Sequence, residues 1–196
     1  VPDVNATEAE TLLRTELNRF LALCETLGPE DWAKPTACTD WTVRDILAHQ
    51  VGGYASATGY GEMIRQLVLS KPKSGQLPED ALNALQLRER VGKSPAELLA
   101  ELRRIAPMGI QKWAHQFRLV KLFSLPRPDG DPLSLRHLMW VVHSRDTWMH
   151  RLDICRATNR PFEQTADHDG RIAALVMRVV AIQNGRYSAI APLSSI

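Results

Sequence analysis

The chain has 196 residues, a length that suits one domain with a substantial core rather than two. Its 24 basic and 22 acidic side chains give a formal net charge of +2, which argues against a dedicated nucleic-acid-binding protein. No apolar run approaches the roughly 20 residues that a membrane-spanning helix needs. The three cysteines are odd in number and far apart, which excludes a disulfide framework or a Cys-x-x-Cys metal site. Together with the lack of a signal peptide in residues 1–20, this predicts a cytoplasmic protein.

Helix-start signals and apolar spacing predict the first helices. The first helix is predicted to begin at a capping box formed by Thr7 and Glu10 and to end near Leu27, before the sequence GP. The second begins at Thr42, where Asp45 completes another capping box. The sequence SKPKSGQLPEDALN then predicts a loop that leads into a short helix ending near residue 92.

The second half of the chain contains the strongest helix start. Ser94 as the cap, Pro95 in the first turn and Glu97 three residues after the cap predict a third main helix. RLVKLF predicts a few residues of strand near Leu119, and LPRPDGDP predicts a turn-rich connection. A long helix is predicted from residues 131–132 to about residue 157, and a final helix from about residue 169. The predicted inward positions of the final helix are Ile172, Leu175, Val176 and Val179. These elements predict an all-α domain, a bundle of four main helices with one or two long connections.

The long helix carries acidic residues on its predicted inner face. At about 100° per residue, Asp146 and Asp153 fall in the middle of the apolar face, with His143 and His150 on its flank. The apolar members of that face are Leu135, Leu138, Met139, Val142 and Met149. A carboxylate in such a position is costly unless it is paired or bound to a metal. Asp146 and His150 are four residues apart, so both side chains can reach one ion.

A buried ion pair is the alternative explanation for these acids. In that case Asp146 or Asp153 pairs with an arginine such as Arg145 or Arg44, since structural networks also bury carboxylates.

The second helix offers a third candidate ligand, His49, on the edge of its apolar stripe. Gly52 and Gly53 follow one turn later, although glycine inside a helix costs about 1 kcal/mol relative to alanine. They leave room either for a ligand or for a closely packed neighbour, in which case His49 is a core histidine bonded to a nearby acceptor. Two histidines and one carboxylate would leave coordination positions open, as in sites for catalytic zinc, non-haem iron or nickel.

Two motifs together resemble those of the DinB-like superfamily: DWTVRDILAHQVGG at residues 40–53 and RDTWMHRLDICRATNRPF at residues 145–162. Within it, the chain is most similar to the mycothiol-dependent maleylpyruvate isomerase family, as far as about Phe162. The resemblance implies a single four-helix bundle domain over residues 1–196, with up-down-down-up helix order. It also implies a metal held by His49, Asp146 and His150.

Two features depart from the family. The acidic ligand is usually glutamate, whereas here it is Asp146, which is one methylene shorter; the ion must therefore lie nearer the helix, or the helices must approach more closely. Larger family members also carry a C-terminal domain. We expect such a region to be absent from residues 1–196, so isomerase activity is not simply inherited.

Other polar residues have two interpretations each. Asp153 either orients His150 as an outer carboxylate or pairs with an arginine. His143 is either a fourth ligand or proton shuttle, or a partly buried histidine with a hydrogen bond. Cys38, just before the second helix, is predicted to be a bystander rather than an activated thiol. Three tryptophans are predicted to be core anchors rather than pocket walls: Trp41, Trp140 and Trp148.

The resemblance implies a metal-dependent enzyme that uses a low-molecular-weight thiol, mycothiol or a similar one. A divalent metal, zinc or else nickel or iron, would support S-transfer to a small electrophile or its cis–trans isomerisation. One alternative is a metal-binding bundle without catalysis, with a stress-related or interaction role; another is a hydrolase that uses metal-bound water, with His143 or an acid as the base. The expected partners are the thiol and the electrophile, without nucleic acid or membrane. A homodimer is the default expectation.

Overall fold

A computed structural model describes residues 4–116, 124–125 and 133–177. Its first five helices are α1 (Ala6–Glu25), α2 (Val43–Ser56), α3 (Tyr60–Leu69), α4 (Pro78–Arg88) and α5 (Pro95–Gln111), and a π-helical turn (Lys112–Gln116) continues α5. Two short strands, β1 (Ser124–Leu125) and β2 (Leu133–Ser134), pair antiparallel. A second continuous helical segment consists of α6 (Leu135–His137), a π-helical turn (Leu138–Val142) and α7 (His143–Thr158). Another π-helical turn (Ala166–Gly170) leads into helical residues 171–177. The predicted all-α class is confirmed.

Helix α2 lies at the centre of the bundle. It packs against α5 and α4 and also contacts α3 and α7, while α1 covers α7 and α5. The core between them contains fully buried side chains from every long helix, such as Phe20, Ile46, Leu102 and Ile154. Because α2 is enclosed on most sides, its polar residues His49 and Gln50 are buried as well. Such polar groups must find partners inside the protein.

Two predicted helix starts are confirmed. Thr42 and Ser94 cap α2 and α5, and each forms the reciprocal capping box, with Asp45 and Glu97 respectively. These starts were predictable because a capping box is formed by residues only three positions apart. Helix α4 corresponds to the predicted short helix before residue 92, but α3 was not predicted.

The predicted cap of α1 is wrong. The helix begins two residues earlier, because the side chain of Asn5 accepts a hydrogen bond from the Glu8 backbone N–H at 3.0 Å. Thr7 therefore lies inside the first turn, and Glu10 binds Arg14 instead of closing a capping box.

The predicted start of the long helix is also wrong. Ser134 caps α6, with its hydroxyl accepting from the His137 backbone N–H at 3.1 Å. The helix does not start earlier because Leu133 and Ser134 are paired in the β-ribbon. The structure of residues 131–132 themselves, the predicted strand near Leu119 and the inward position Val179 lie outside the described residues. At the other end, α7 stops at Thr158, close to the predicted position.

A π-helical turn changes which residues of α7 point inward. This turn (Leu138–Val142) holds about one residue more than an α-turn, so a projection at 100° per residue is out of phase beyond it. Met149, predicted to be inward, is 41% exposed, whereas Thr147 is buried. Asp153 is buried as predicted, but the Asp146 side chain lies at the edge of the buried face and is 31% exposed.

A group of buried charges, which we call the ionic cluster, joins α1 to α7. It consists of Glu16, Arg19, Arg151, His168 and Asp169. Arg151 donates to Glu16 at 2.6 Å and to Asp169 at 2.8 Å, and Arg19 donates to Asp169 at 2.6 Å. The second oxygen of Glu16 lies 2.7 Å from His168 Nε2. Each carboxylate of the cluster is therefore bonded to at least one guanidinium.

Two of the predicted core tryptophans pack into the same end of the bundle. Trp140 and Trp148 both lie against an apolar cluster that includes Leu12 and Ile172, as predicted. In the part of the chain that the structure describes, no helix combines the length and the apolarity that crossing a bilayer requires.

Candidate metal centre

Packing of α2 against α7 brings His49, Asp146 and His150 together, a group that we call the three-residue site. His49 Nε2 lies 3.2 Å from Asp146 Oδ2, and His150 Nε2 lies 3.6 Å from Asp146 Oδ1. One ligand atom from each residue lies within 4.8 Å of the other two. Nitrogen and oxygen ligands at 2.0–2.2 Å from a tetrahedral ion are about 3.3–3.5 Å apart, so these separations are close to those of a metal site.

Gln86 on α4 determines which nitrogen of His49 faces the site. The amide nitrogen of Gln86 donates to Gln66 Oε1 at 3.0 Å, and the Gln66 amide donates to the Gly52 carbonyl at 3.1 Å. Gln86 Oε1 is therefore an acceptor, and it lies 2.9 Å from His49 Nδ1. Because Nδ1 carries a hydrogen, Nε2 is the nitrogen directed at the Asp146 carboxylate. Two such atoms 3.2 Å apart have a proton or a metal cation between them, so a metal can replace the proton here.

Gln50 holds the carboxylate of this site in place. Its amide donates to Asp146 Oδ2 at 2.8 Å, and its own oxygen accepts from the Thr147 hydroxyl at 2.8 Å. Burial alone would raise the pKa of Asp146, but the positive charge and hydrogen bond of a protonated His49 ring, with the charge of His150, hold it well below the usual range in the metal-free protein. Asp146 is thus an ionised, oriented ligand group.

Asp153 and Cys38 lie against the other nitrogen of His150. Asp153 Oδ2 is 3.4 Å from His150 Nδ1, and Cys38 Sγ is 3.8 Å from the same nitrogen. Burial would lower the pKa of His150, but the hydrogen bond to Asp153, the contact with Cys38 and the charge of Asp146 together raise it to about 10. Of the two interpretations of Asp153, the contact observed is the one with His150. A carboxylate on the far nitrogen is the usual partner of a metal-binding histidine.

Trp41 forms a wall of the site, contrary to the prediction that it serves only as a core anchor. Its ring lies 5.0 Å from the His49 ring and 5.8 Å from the His150 ring, between centroids. Trp41 also packs against the main core, which is the predicted anchoring role. The sequence signal was its position immediately before the cap of α2, which places it over the first turns of that helix.

His143 lies beside the site rather than in it. Its ring is 3.6 Å from Trp113 between centroids, and burial lowers its pKa to about 3, so the imidazole is neutral. The groups of ligand atoms that converge within the described residues do not include His143.

The glycine pair of α2 has a packing role at one position. A Cβ on Gly52 would lie 2.5 Å from the Cβ of Gln86, so the bare backbone lets α4 approach and places the Gln86 amide against His49. A Cβ on Gly53 would meet the His143 ring at 3.7 Å, an ordinary contact. The closely packed neighbour is thus the correct explanation for Gly52.

The described contacts of Arg44 do not include Asp146 or Asp153, so an ion pair with Arg44 does not explain these acids. Its guanidinium donates to the backbone carbonyls of Arg90, Val91 and Lys93. Arg145 is exposed on the outer face of α7.

Comparison with known proteins agrees with the geometry of the bundle. A family model described as the mycothiol maleylpyruvate isomerase N-terminal domain matches residues 13–155. The crystal structure of a mycothiol-dependent maleylpyruvate isomerase has the same fold, with a TM-score of 0.56 and 14% sequence identity. The similarity covers 78% of this chain and 61% of that one, and a histidine-to-alanine mutant of the enzyme matches with the same coverage at 13% identity.

The chain therefore spans 61% of the length of the isomerase that it resembles. No curated protein matches it. Because the family model covers residues 13–155, which is well over half of the chain, the protein belongs to the family of mycothiol maleylpyruvate isomerase N-terminal domains.

Proposed function

We propose that the protein is a metal-dependent enzyme in which His49, Asp146 and His150 hold a divalent ion, and that it acts with a low-molecular-weight thiol such as mycothiol. The observation that carries this proposal is the orientation of His49, whose Nε2 atom faces the Asp146 carboxylate at 3.2 Å. The family supplies the thiol and the isomerase chemistry. Zinc suits two imidazoles and one carboxylate, as do nickel and iron.

A divalent ion bound by these three ligands would have open positions, where it stabilises a thiolate over the thiol and polarises a substrate carbonyl. Neighbouring side chains orient the three ligands around the position of the ion. Gln86 and Asp153 each accept from the outer nitrogen of a ligand imidazole, which directs both Nε2 atoms inward. Gln50 prevents the Asp146 carboxylate from rotating away. Trp41 packs beside both imidazole rings.

The small-molecule reaction follows from thiolate chemistry. Addition of a thiolate to one carbon of a conjugated double bond, rotation about the resulting single bond and elimination of the thiolate would convert a cis to a trans isomer. Addition without elimination would give a thioether, which is the transferase outcome.

Metal analysis tests the site itself. We expect close to one equivalent of metal in protein purified without chelator or histidine tag. His49→Ala, Asp146→Ala and His150→Ala should each lose most of it. His115→Ala is the matched control, because His115 is an exposed histidine that binds Glu10 away from the site. Metal content unchanged in all three site variants would contradict the proposal.

A cobalt-substituted protein tests the use of a thiol. Addition of mycothiol should produce sulfur-to-cobalt charge-transfer absorption, which distinguishes an enzyme with open coordination positions from an inert metal-binding bundle. The same titration with a serine-containing analogue of the thiol should give no such band. A spectrum that does not respond to mycothiol would contradict a thiol-dependent function.

A further inference from the structure

A second group of potential metal ligands lies on the opposite side of His150. It consists of Cys38, Asp153 and the Nδ1 atom of His150. The three separations are 3.8 Å from Cys38 Sγ to Nδ1, 3.5 Å from Sγ to Asp153 Oδ2, and 3.4 Å from Nδ1 to that oxygen. A tetrahedral zinc ion with bonds of 2.3 Å to sulfur and 2.0–2.2 Å to nitrogen and oxygen sets these edges at about 3.5–3.7 Å to sulfur and about 3.3–3.5 Å between nitrogen and oxygen. The side chains thus already have the spacing of a metal site.

A closed loop holds Cys38 in this position. The loop ends pair at Pro35 and Thr42, and the Thr36 N–H donates to the Trp41 carbonyl at 3.0 Å. Within the loop, the Thr36 hydroxyl accepts from the Cys38 backbone N–H at 3.2 Å. The ring of Trp41, at the end of the same loop, lies against His150. Cys38 is therefore presented by a pre-formed loop.

Access and charge also favour an ion at this position. Cys38 is partly exposed, so an ion can reach it from solvent, while Asp153 is buried. The other two cysteines, Cys24 and Cys155, are buried, and burial raises the pKa of each. A Cys38 thiolate together with the Asp153 carboxylate would neutralise a divalent ion, whereas the three-residue site has one carboxylate.

We propose that Cys38, Asp153 and His150 Nδ1 form a second metal position, selective for sulfur-preferring divalent ions, which excludes occupation of the three-residue site. The exclusion follows from His150, because a neutral imidazole has one lone pair. When Nε2 binds an ion, Nδ1 carries the hydrogen and Asp153 accepts it. When Nδ1 binds the ion, Nε2 carries the hydrogen and faces Asp146 Oδ1 at 3.6 Å. A carboxylate on each side of the ring satisfies either tautomer. On binding, the Cys38 S–H bond and the His150 Nδ1–H bond break, both protons pass to solvent, and metal–sulfur and metal–nitrogen bonds form.

Titration of metal-free protein with cadmium chloride, in a thiol-free reductant, tests this proposal. We expect sulfur-to-cadmium charge-transfer absorption that saturates at one equivalent. Cys38→Ser and His150→Ala should abolish the band, and Cys155→Ser, the matched cysteine control, should retain it. His49→Ala and Asp146→Ala should also retain it, although they lose the three-residue site.

Alkylation provides a second measurement that does not depend on absorption. Cadmium should slow the reaction of Cys38 with iodoacetamide at least tenfold, as followed by mass spectrometry of the peptide that contains it. The proposal is overturned if the band is absent from the wild type, if it persists in Cys38→Ser, if it is lost in both His49→Ala and Asp146→Ala, or if two equivalents bind together. His49→Ala and Asp146→Ala remove ligands of the three-residue site only, so they separate the two metal positions. If the present proposal, which rests on the proposed function for its competing site, fails, the three-residue site is still judged by its own metal analysis.

Discussion

The ionic cluster and the three-residue site both use α7 to bring acids and histidines together, but they differ in their cations. Arg151 and His150 are neighbours in the sequence and point to different sides of the helix. In the ionic cluster, Arg19 and Arg151 are bonded to the carboxylates of Glu16 and Asp169. In the three-residue site, the contacts described for Asp146 are with two imidazoles and an amide.

The difference separates a structural group of charges from a site for a ligand. A buried carboxylate is stable when a guanidinium neutralises it, and such a pair has no need of an external ion. Asp146 has no guanidinium partner in the described part of the chain, so its charge is balanced by histidine protons or by a metal. Burial of an acid by itself therefore does not identify a metal site; the nature of its partner does.

Removal of Arg151 should have the largest effect on stability. Arg151→Met leaves the fully buried Glu16 and the buried Asp169 with fewer cationic partners, and loss of one partner of a buried ion pair costs about 3–5 kcal/mol. Urea denaturation would measure the free energy of unfolding. Arg145→Met, an exposed arginine on the same helix, is the control and should change it little. A loss similar to that of the control would show that the cluster is not structural.

Replacing one acid of each region by asparagine should have the next largest effect and should distinguish the ionic cluster from the three-residue site. Asp169 accepts from Arg19, Arg151, the Trp148 indole and the Thr165 backbone, so Asp169→Asn should cost about 1.5–3 kcal/mol of stability. Asp146→Asn should cost the metal-free protein less stability than Asp169→Asn, because Asp146 is partly exposed and its described partners are two imidazoles and an amide rather than guanidinium groups. The two variants should rank the other way in metal content, with metal lost in Asp146→Asn and retained in Asp169→Asn. Equal stability losses would contradict the distinction.

Gln86→Leu should weaken metal binding without removing a ligand. The glutamine accepts from His49 Nδ1, and loss of such an outer partner lowers metal affinity roughly 10- to 100-fold. Competition with a chromophoric chelator would measure the affinity, and the exposed Gln111→Leu is the control. An unchanged affinity would mean that another group orients His49.

The smallest expected effect is on the acid sensitivity of the fold. Although burial alone would raise it, the pKa of Asp169 is held at about 2, below its ordinary value of 3.8, by bonds from the Thr165 N–H, Trp148 and Arg19 and by the charge of Arg151. Asp169 therefore stabilises the fold above pH 3.8, and this contribution is lost as the pH falls through about 2.

Denaturation at pH values from 5 to 2 should show a steeper loss for the wild type than for Asp169→Asn. The difference is small because other carboxyls with lowered pKa values, such as Glu8 beside Arg171 and Glu62 beside Arg65, titrate in the same range. Parallel profiles for the two proteins would contradict the assignment.

Local signals in the sequence predicted a large part of the fold. The caps of α2 and α5 were predictable because their bonds join residues three positions apart. The start of α1 was not, because Asn5 competes with Thr7 for the same role and both are good caps. The inner face of α7 was displaced by the π-helical turn at Leu138–Val142, which ordinary helical periodicity does not reveal.

For the site, the sequence predicted the three converging side chains but not the groups that orient them. Asp146 and His150 are one turn apart on one helix, so their proximity follows from helical geometry. Gln86, which orients His49, is 37 residues away from it, and Gln50 contacts Asp146 across 96 residues. Cys38, predicted to be a bystander, lies against His150 across 112 residues.

The sequence by itself determined the all-α class, the four long helices and the residue types that could bind a metal, because capping and helical periodicity act over a few residues. Only the tertiary structure decided which nitrogen of each histidine faces Asp146, which acids are neutralised by arginine, and where Cys38 lies. Those outcomes depend on the packing of α2, α4 and α7, in which partners far apart in the chain meet by burial of apolar surface. No local pattern carries that information.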